Sequence, residues 1–169
     1  MFMTSRYESV CPFCGQDILV GDKIWWQKYK GAKHAECFRT QGAKFKAIVN
    51  KAHEAGMAAG EACTPVPMVV EEHSNMADDN SPVHRLWHVP DGVCGFAWIK
   101  LPKLTTDFAR WAVAHSEETG FRKSSHEPGA SRWVHEFNQS MARKEAYARA
   151  YTDVLTEAMI TAYAGSRID

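Results

Sequence analysis

Cys11, Cys14, His34 and Cys37 stand in two tight pairs, CPFC and HAEC. Two residues between the members of a pair let one turn aim both side chains at a single ion. Three thiolates and one imidazole then complete the tetrahedron that structural zinc prefers. Protein donors fill all four positions, so the expected ion is one structural Zn2+ that holds the fold together, with no open position for a substrate.

The residues between the pairs must deliver those ligands. Gln16 to Val20, a Gly21-Asp22 turn and Ile24 to Tyr29 read as a hairpin with Trp25 and Trp26 on its return strand. His34 then opens a helix that runs to about residue 60, in which Phe38, Phe45, Ile48, Val49 and Ala52 recur at helical spacing and are expected to pack on the hairpin. Knuckle, hairpin, then a helix carrying the last two ligands is the order of a treble clef.

The segment CPFCGQDILVGDKIWWQKYKGAKHAECF joins Cys-x2-Cys, an Ile-x2-Gly step and His-x2-Cys before an aromatic. Over residues 9–40 it resembles the first zinc module of LIM domains and the fingers of the poly(ADP-ribose) polymerase type. The first resemblance implies a protein-binding module and the second implies DNA binding. A complete LIM domain is excluded, because Cys63 and Cys94 stand alone and no second ligand set follows. Those two cysteines read as packing residues.

Composition bounds the remainder. The chain has 169 residues, 45% of them hydrophobic, and no apolar run long enough to span a bilayer, which suits a soluble protein of one or two small domains. MFMTSRYESV lacks the apolar core of a signal peptide, so a reducing cytoplasm is the expected compartment. Formal net charge is zero, but residues 1–60 hold nine Lys/Arg against five Asp/Glu, residues 61–82 hold five acids and no base, and residues 83–169 are nearly balanced. The acidic, Pro-containing stretch 61–82 reads as a linker between a finger domain, 1–60, and a second domain, 83–169.

In the finger, Lys28, Lys30, Lys33 and Lys44 interleave with Trp25 and Trp26. Lysines can contact phosphates while rings stack on bases, so these six residues are the candidate nucleic-acid surface. In the second domain, VHRLWHV and GFAWIKL read as strands joined across Pro90-Asp91-Gly92. A helix over 105–118 follows, then a strand at SRWVHEF, a helix from Ser140 to about Ala158 and a closing strand. The expected fold class is therefore α+β, a treble-clef finger plus a ββαβαβ sheet-and-helix domain with its helices on one face.

At the start of the last helix, Asn138, Gln139, Ser140, Arg143 and Lys144 form a candidate anion site. Two bases in a first turn oppose the helix dipole unless an anion lies nearby. The loop RKSSHEPG adds Arg122, Lys123, Ser124, Ser125 and His126 just before the third strand. His84 and His88 share a strand face and with His126 or His135 could form a second site, but no spacing fixes that geometry. No phosphate-binding glycine loop or nucleophile elbow is present, and no catalytic residue is assigned.

GFAWIKL, the helix start NQS-x2-RKE-x2-A and the closing AYAGSRID give residues 92–169 a resemblance to small accessory proteins of tailed bacteriophages. That resemblance implies a phage origin, a host-cytoplasmic or virion location and no defined mechanism. The sequence thus leads to a zinc-stabilised nucleic-acid-binding accessory protein. The alternatives are a structural or protein-interaction module, such as a virion component or an inhibitor of a host factor, and third a nuclease.

Overall fold

The computed structural model describes all residues from Met1 to Asp169. Helices and small antiparallel sheets alternate along the chain, which divides into two compact units, Met1–Ala47 and Ile48–Asp169.

The first unit begins with β1 (Phe2–Thr4), β2 (Ser9–Val10), β3 (Asp17–Ile18), β4 (Lys23–Gln27) and β5 (Gly31–His34). Helix α1 (Ala35–Ala62) follows and continues past the boundary at Ala47. The pairing differs from the expected hairpin. β3 pairs with β2 across the first Cys pair, while β4 pairs with β5 on one side and β1 on the other. The cause is local: Gly15 N–H returns to the Cys11 carbonyl and Cys11 N–H to the Gln16 carbonyl, each at 2.8 Å, so the knuckle closes its own small ladder. Gly15 has φ 74°, the left-handed conformation such a turn requires.

Alternation along β4 decides what is buried. Ile24 faces a small core with Cys11 and Ile18, flanked by Met3, Phe13, Ala32 and Cys37. Trp25 points to the opposite face and stacks on Phe38, with ring centroids 4.2 Å apart and planes 9° from parallel. Phe38 therefore packs on the strands as its spacing suggests. Val49 and Ala52, expected in the same place, are buried in the second unit instead.

The second unit contains β6 (Met68–His73), β7 (Val83–Val89), β8 (Gly95–Leu101), α2 (Asp107–Ala114), α3 (Ser116–Thr119), β9 (Arg122–Lys123), β10 (Ala130–Trp133), α4 (Met141–Glu157) and β11 (Tyr163–Ile168). Residues 61–82 are not a plain linker, because β6 lies within them and pairs antiparallel with β7 from Met68↔Val89 to His73↔Val83. β7 is thereby taken from the expected pairing with β8. β8 instead sits inside a four-stranded sheet of order β11-β8-β10-β9, antiparallel throughout. Both neighbours satisfy its main-chain groups, Ala97, Ile99 and Leu101 are buried on one face, and α4 packs against β8 and β11 on that sheet.

Two further expectations are corrected. The helix predicted over 105–118 breaks at His115, whose main-chain N–H and ring Nδ1 both reach the Trp111 carbonyl, at 3.0 and 2.8 Å. That carbonyl can only accept, so Nδ1 carries the proton. The strand predicted at 131–137 ends at Trp133 because the Glu136 carboxylate turns back to Arg132 at 2.7 Å and to the His135 N–H at 2.9 Å. Phe137 and Asn138 then take φ 66° and 48° before α4 begins.

Between the later half of α1 and α4 lies a network that composition does not reveal. His53 Nδ1 meets the Tyr147 hydroxyl at 2.7 Å, and the Arg132 guanidinium lies over the Tyr147 and Tyr151 rings at 5.1 and 5.3 Å. Burial pushes the Tyr151 hydroxyl up to about 12, with Arg132 opposing the shift. Glu136 is held below its ordinary value against the pull of burial, because Arg132 stabilises the carboxylate.

Close approach of the helices at this network depends on glycine. A Cβ on Gly56 would come within 2.7 Å of the Tyr147 ring, and one on Gly60 within 2.3 Å of Phe137. Gly56→Ala should therefore destabilise the protein despite better helix propensity. The propensity gain is about 1 kcal/mol, whereas overpacking costs about 1–3 kcal/mol. Denaturant midpoints check the sign: a Gly56→Ala variant more stable than wild type would show that Tyr147 yields easily.

Candidate metal centre

Cys11, Cys14, His34 and Cys37 are brought together by three elements. Cys11 and Cys14 come from the β2–β3 knuckle, His34 ends β5 and Cys37 lies in the first turn of α1. Their ligand atoms all lie within 4.8 Å of one another, close enough to hold a metal ion. His34 Nδ1 is 3.4 Å from Cys14 Sγ and 3.8 Å from Cys37 Sγ. Metal–sulfur and metal–nitrogen bonds of about 2.3 and 2.0 Å give tetrahedral edges of about 3.5–3.8 Å, so the spacing suits a shared ion.

The histidine is oriented for the task. Its Nε2 meets the Asp17 carbonyl at 3.1 Å. A carbonyl accepts only, so Nε2 carries the proton and Nδ1 turns its lone pair toward the sulfurs. Asp22 Oδ2 lies 3.9 Å from Nε2 and also accepts from the Leu19 N–H at 2.8 Å. The Asp17 carbonyl is a partner that residue types cannot reveal, since it depends on where the backbone turns.

The thiols are set apart by their surroundings. Burial alone would raise the Cys11 thiol, but backbone hydrogen bonds from Cys14, His34 and Phe13 overcome it and bring it down to about 6. Burial raises Cys37 to about 11, and the nearby Cys14 and Cys11 sulfurs add to the rise. Three thiolates crowd badly without a cation between them, and a cation at their centre relieves that repulsion. Cys11 is fully buried, whereas Cys14 is exposed.

The other expected site residues are more dispersed. Lys28 and Lys30 are exposed in the β4–β5 turn, with Lys28 Nζ 4.9 Å from the Tyr29 ring centroid. Lys33 lies in β5 opposite Trp25 and donates to Gln41 Oε1 at 2.8 Å. Lys44 lies on α1 over the Phe13 ring at 5.3 Å. Trp25 and Trp26 alternate to opposite faces of β4, so the two rings do not form one stacking surface. Trp25 instead shares its face with Phe2, its β1 partner, and with Phe38, while Arg39 lies over Phe2 at 5.5 Å. Phe2 and Arg39 escape a reading of the sequence because the pairing of β1 with β4 is remote along the chain.

The five residues at the start of α4 do not converge on an outside anion. Ser140 is buried, makes no side-chain cap and donates its hydroxyl to the Asp91 carbonyl at 2.7 Å. Lys144 is buried and donates to the Gly95 carbonyl at 3.2 Å. Arg143 Nε lies 3.9 Å from Asp91 Oδ1, so the anion facing the first turn is the protein's own. Gln139 supplies its main-chain carbonyl to the Gly95 N–H, and Asn138 is exposed beside it. His84 and His88 lie on β7, apart from His126 and His135, and no ligand cluster forms around them. Cys63 and Cys94 are partly buried free thiols.

No protein-family model matches the chain, and no curated protein or solved structure matches it either. No helix is long and apolar enough to cross a membrane.

If the cluster holds the first unit together, Cys37→Ser should reduce bound metal from one equivalent to none. It should also abolish hydrogen-exchange protection in β1, β4 and β5 while β8 and β10 stay protected. Metal analysis and exchange by mass spectrometry check this. Full protection of β4 in a metal-free chain would show the cluster to be incidental.

Proposed function

We propose that the chain is a zinc-stabilised, nucleic-acid-binding accessory protein of the kind carried by tailed bacteriophages. The donor set supports zinc: three thiolates and an imidazole in a closed shell suit a borderline-soft ion without redox chemistry. Cys11, Cys14, His34 Nδ1 and Cys37 would hold it, and its contribution is folding energy. No step of catalysis is assigned to it.

The observation that carries the binding reading is the charge and ring arrangement of the first unit. Met1–Ala47 holds eight Lys/Arg against four Asp/Glu. Phe2, Trp25 and Phe38 form a ring cluster on the sheet face away from Ile24, bordered by Lys33 and Arg39. Lys28 and Lys30 extend from the neighbouring turn into solvent. Such a surface offers phosphates several cations and one apolar patch.

A protein-interaction module is the second reading, favoured by the β6–β7 hairpin. Val69, Val70, Val83, Leu86 and Trp87 are each 40–49% exposed there, an unusual load of apolar surface for one two-stranded ribbon.

The test is binding to duplex and single-stranded nucleic acid across a salt series. Lys28→Gln, Lys30→Gln and Lys33→Gln together should weaken binding and flatten the log–log salt slope by about 0.9 for each phosphate of duplex DNA that is no longer neutralised. A folded triple variant with an unchanged slope would remove these lysines from any interface.

A further inference from the structure

The four-stranded sheet of the second unit has one face covered and one face open. β8 alternates strictly: Ala97, Ile99 and Leu101 are buried, while Phe96, Trp98 and Lys100 point the other way and are partly exposed. Register carries the open face across the neighbouring strands. Trp133 lies opposite Trp98 and Ser131 opposite Lys100 on β10, Arg122 lies opposite Ser131 on β9, and Gly165 and Arg167 lie opposite Trp98 and Phe96 on β11.

The rings on this face form a platform. The Trp98 and Trp133 centroids are 5.3 Å apart, Phe96 meets Trp133 edge-on at 6.1 Å, and Trp133 is 43% exposed. Gly165 is required here, because a Cβ at that position would lie 2.6 Å from the Trp98 ring. A bare strand lets the indole lie across β11. Cross-strand aromatic pairs do stabilise sheets, but that role does not account for the charge around them.

A groove of about 850 Å³ runs over this face, beside the loop 124–129, and five Lys/Arg but only two Glu line it. Glu127 is already paired with Lys100, and Arg132 is tied to Glu136 below. No carboxylate pairs with Arg122 or Lys123, and Arg167 makes only a stacking contact, 5.3 Å over the Phe96 ring. The occupant that fits is polyanionic and carries flat apolar faces.

We propose that this open sheet face binds an unpaired polynucleotide strand, with Trp98 and Trp133 stacking on bases and Arg122 and Arg167 meeting the phosphates. Rings set in a groove reach bases only when those bases are not stacked in a duplex, which is why a single strand is favoured. Arg122 and Arg167 lie on β9 and β11, about 14 Å apart across the sheet and, through their rows at Lys100 and Phe96, about 14 Å apart along it, hence about 20 Å from one another. Four-stranded sheets with rings on one face stack roughly two or three bases, so the platform suits a short stretch of strand. This site is separate from the finger surface and does not depend on it.

The probe is a short oligothymidylate, as DNA and as its RNA counterpart, titrated into the full chain and read by anisotropy over a salt series. Trp133→Leu keeps an apolar side chain and should weaken binding about 5- to 100-fold, the loss of one stacked base. Trp133→Phe should restore most of it. Arg122→Gln with Arg167→Gln should lower the salt slope by about 1.4, equivalent to two phosphates of a single strand. The finger triple variant runs alongside. If it binds the strand normally while Trp133→Leu does not, the platform stands and the finger has no part in single-strand binding. If folded Trp133→Leu and the double Arg variant bind like wild type, the platform is wrong, whatever the finger variant does. Absence of binding by the wild-type chain, or equal competition by a duplex, overturns it as well.

Discussion

The first unit encloses very few apolar side chains. Its fully enclosed cluster consists of Cys11, Ile18 and Ile24, with Met3, Phe13, Ala32 and Cys37 packed around it. So small a core, with the Phe2, Trp25 and Phe38 rings beside it, supplies little hydrophobic surface against the ordering entropy of Met1–Ala47. The Cys/His cluster is therefore the constraint on which the rest depends. It joins the knuckle, the end of β5 and the start of α1 at one point, and two of its members, Cys11 and Cys37, belong to the core as well. A metal ion held there would replace the missing hydrophobic surface with coordination bonds.

The second unit solves the same problem by ordinary packing. Ile99, Leu101, Phe108, Phe121, Tyr147, Tyr151 and Leu155 are almost completely buried. Lys144, Ser140 and Arg132 serve that packing as internal donors. With polar groups spent inside, the charge left on the open sheet face stands out: Arg122 and Arg167 flank rings that the core does not use. One sheet thus carries its structural role on one face and its proposed binding role on the other.

What is legible in the sequence is local. The four residues of the Cys/His cluster are readable because spacing within each pair brings its two side chains to one point, and α4 is readable from Tyr147, Tyr151, Val154 and Leu155 at helical intervals. Strand partners are not. The segment at 83–89 and its neighbour at 95–101 look like a hairpin, yet β7 pairs with β6 and β8 with β10 and β11, choices made by burial of distant faces. Acidic composition conceals β6 because its two valines, Val69 and Val70, are adjacent rather than alternating and both stay exposed on a ribbon. Lys144 misleads for a related reason. A lysine in a first turn suggests solvent or an anion, and only the approach of Gly95 supplies a buried carbonyl for it. The aromatic face of β8 is within reach of alternation, but its meaning emerges only when Trp133 and Gly165 come alongside Trp98.

The most direct measurement is X-ray absorption at the zinc edge of the purified full chain. A closed structural site predicts three sulfurs at about 2.3 Å and one nitrogen at about 2.0–2.1 Å, a first shell supplied wholly by Cys11, Cys14, Cys37 and His34. A shell containing oxygen, or fewer than three sulfurs, would contradict it, since an open position or a missing thiolate would mean that these four residues do not together hold the ion.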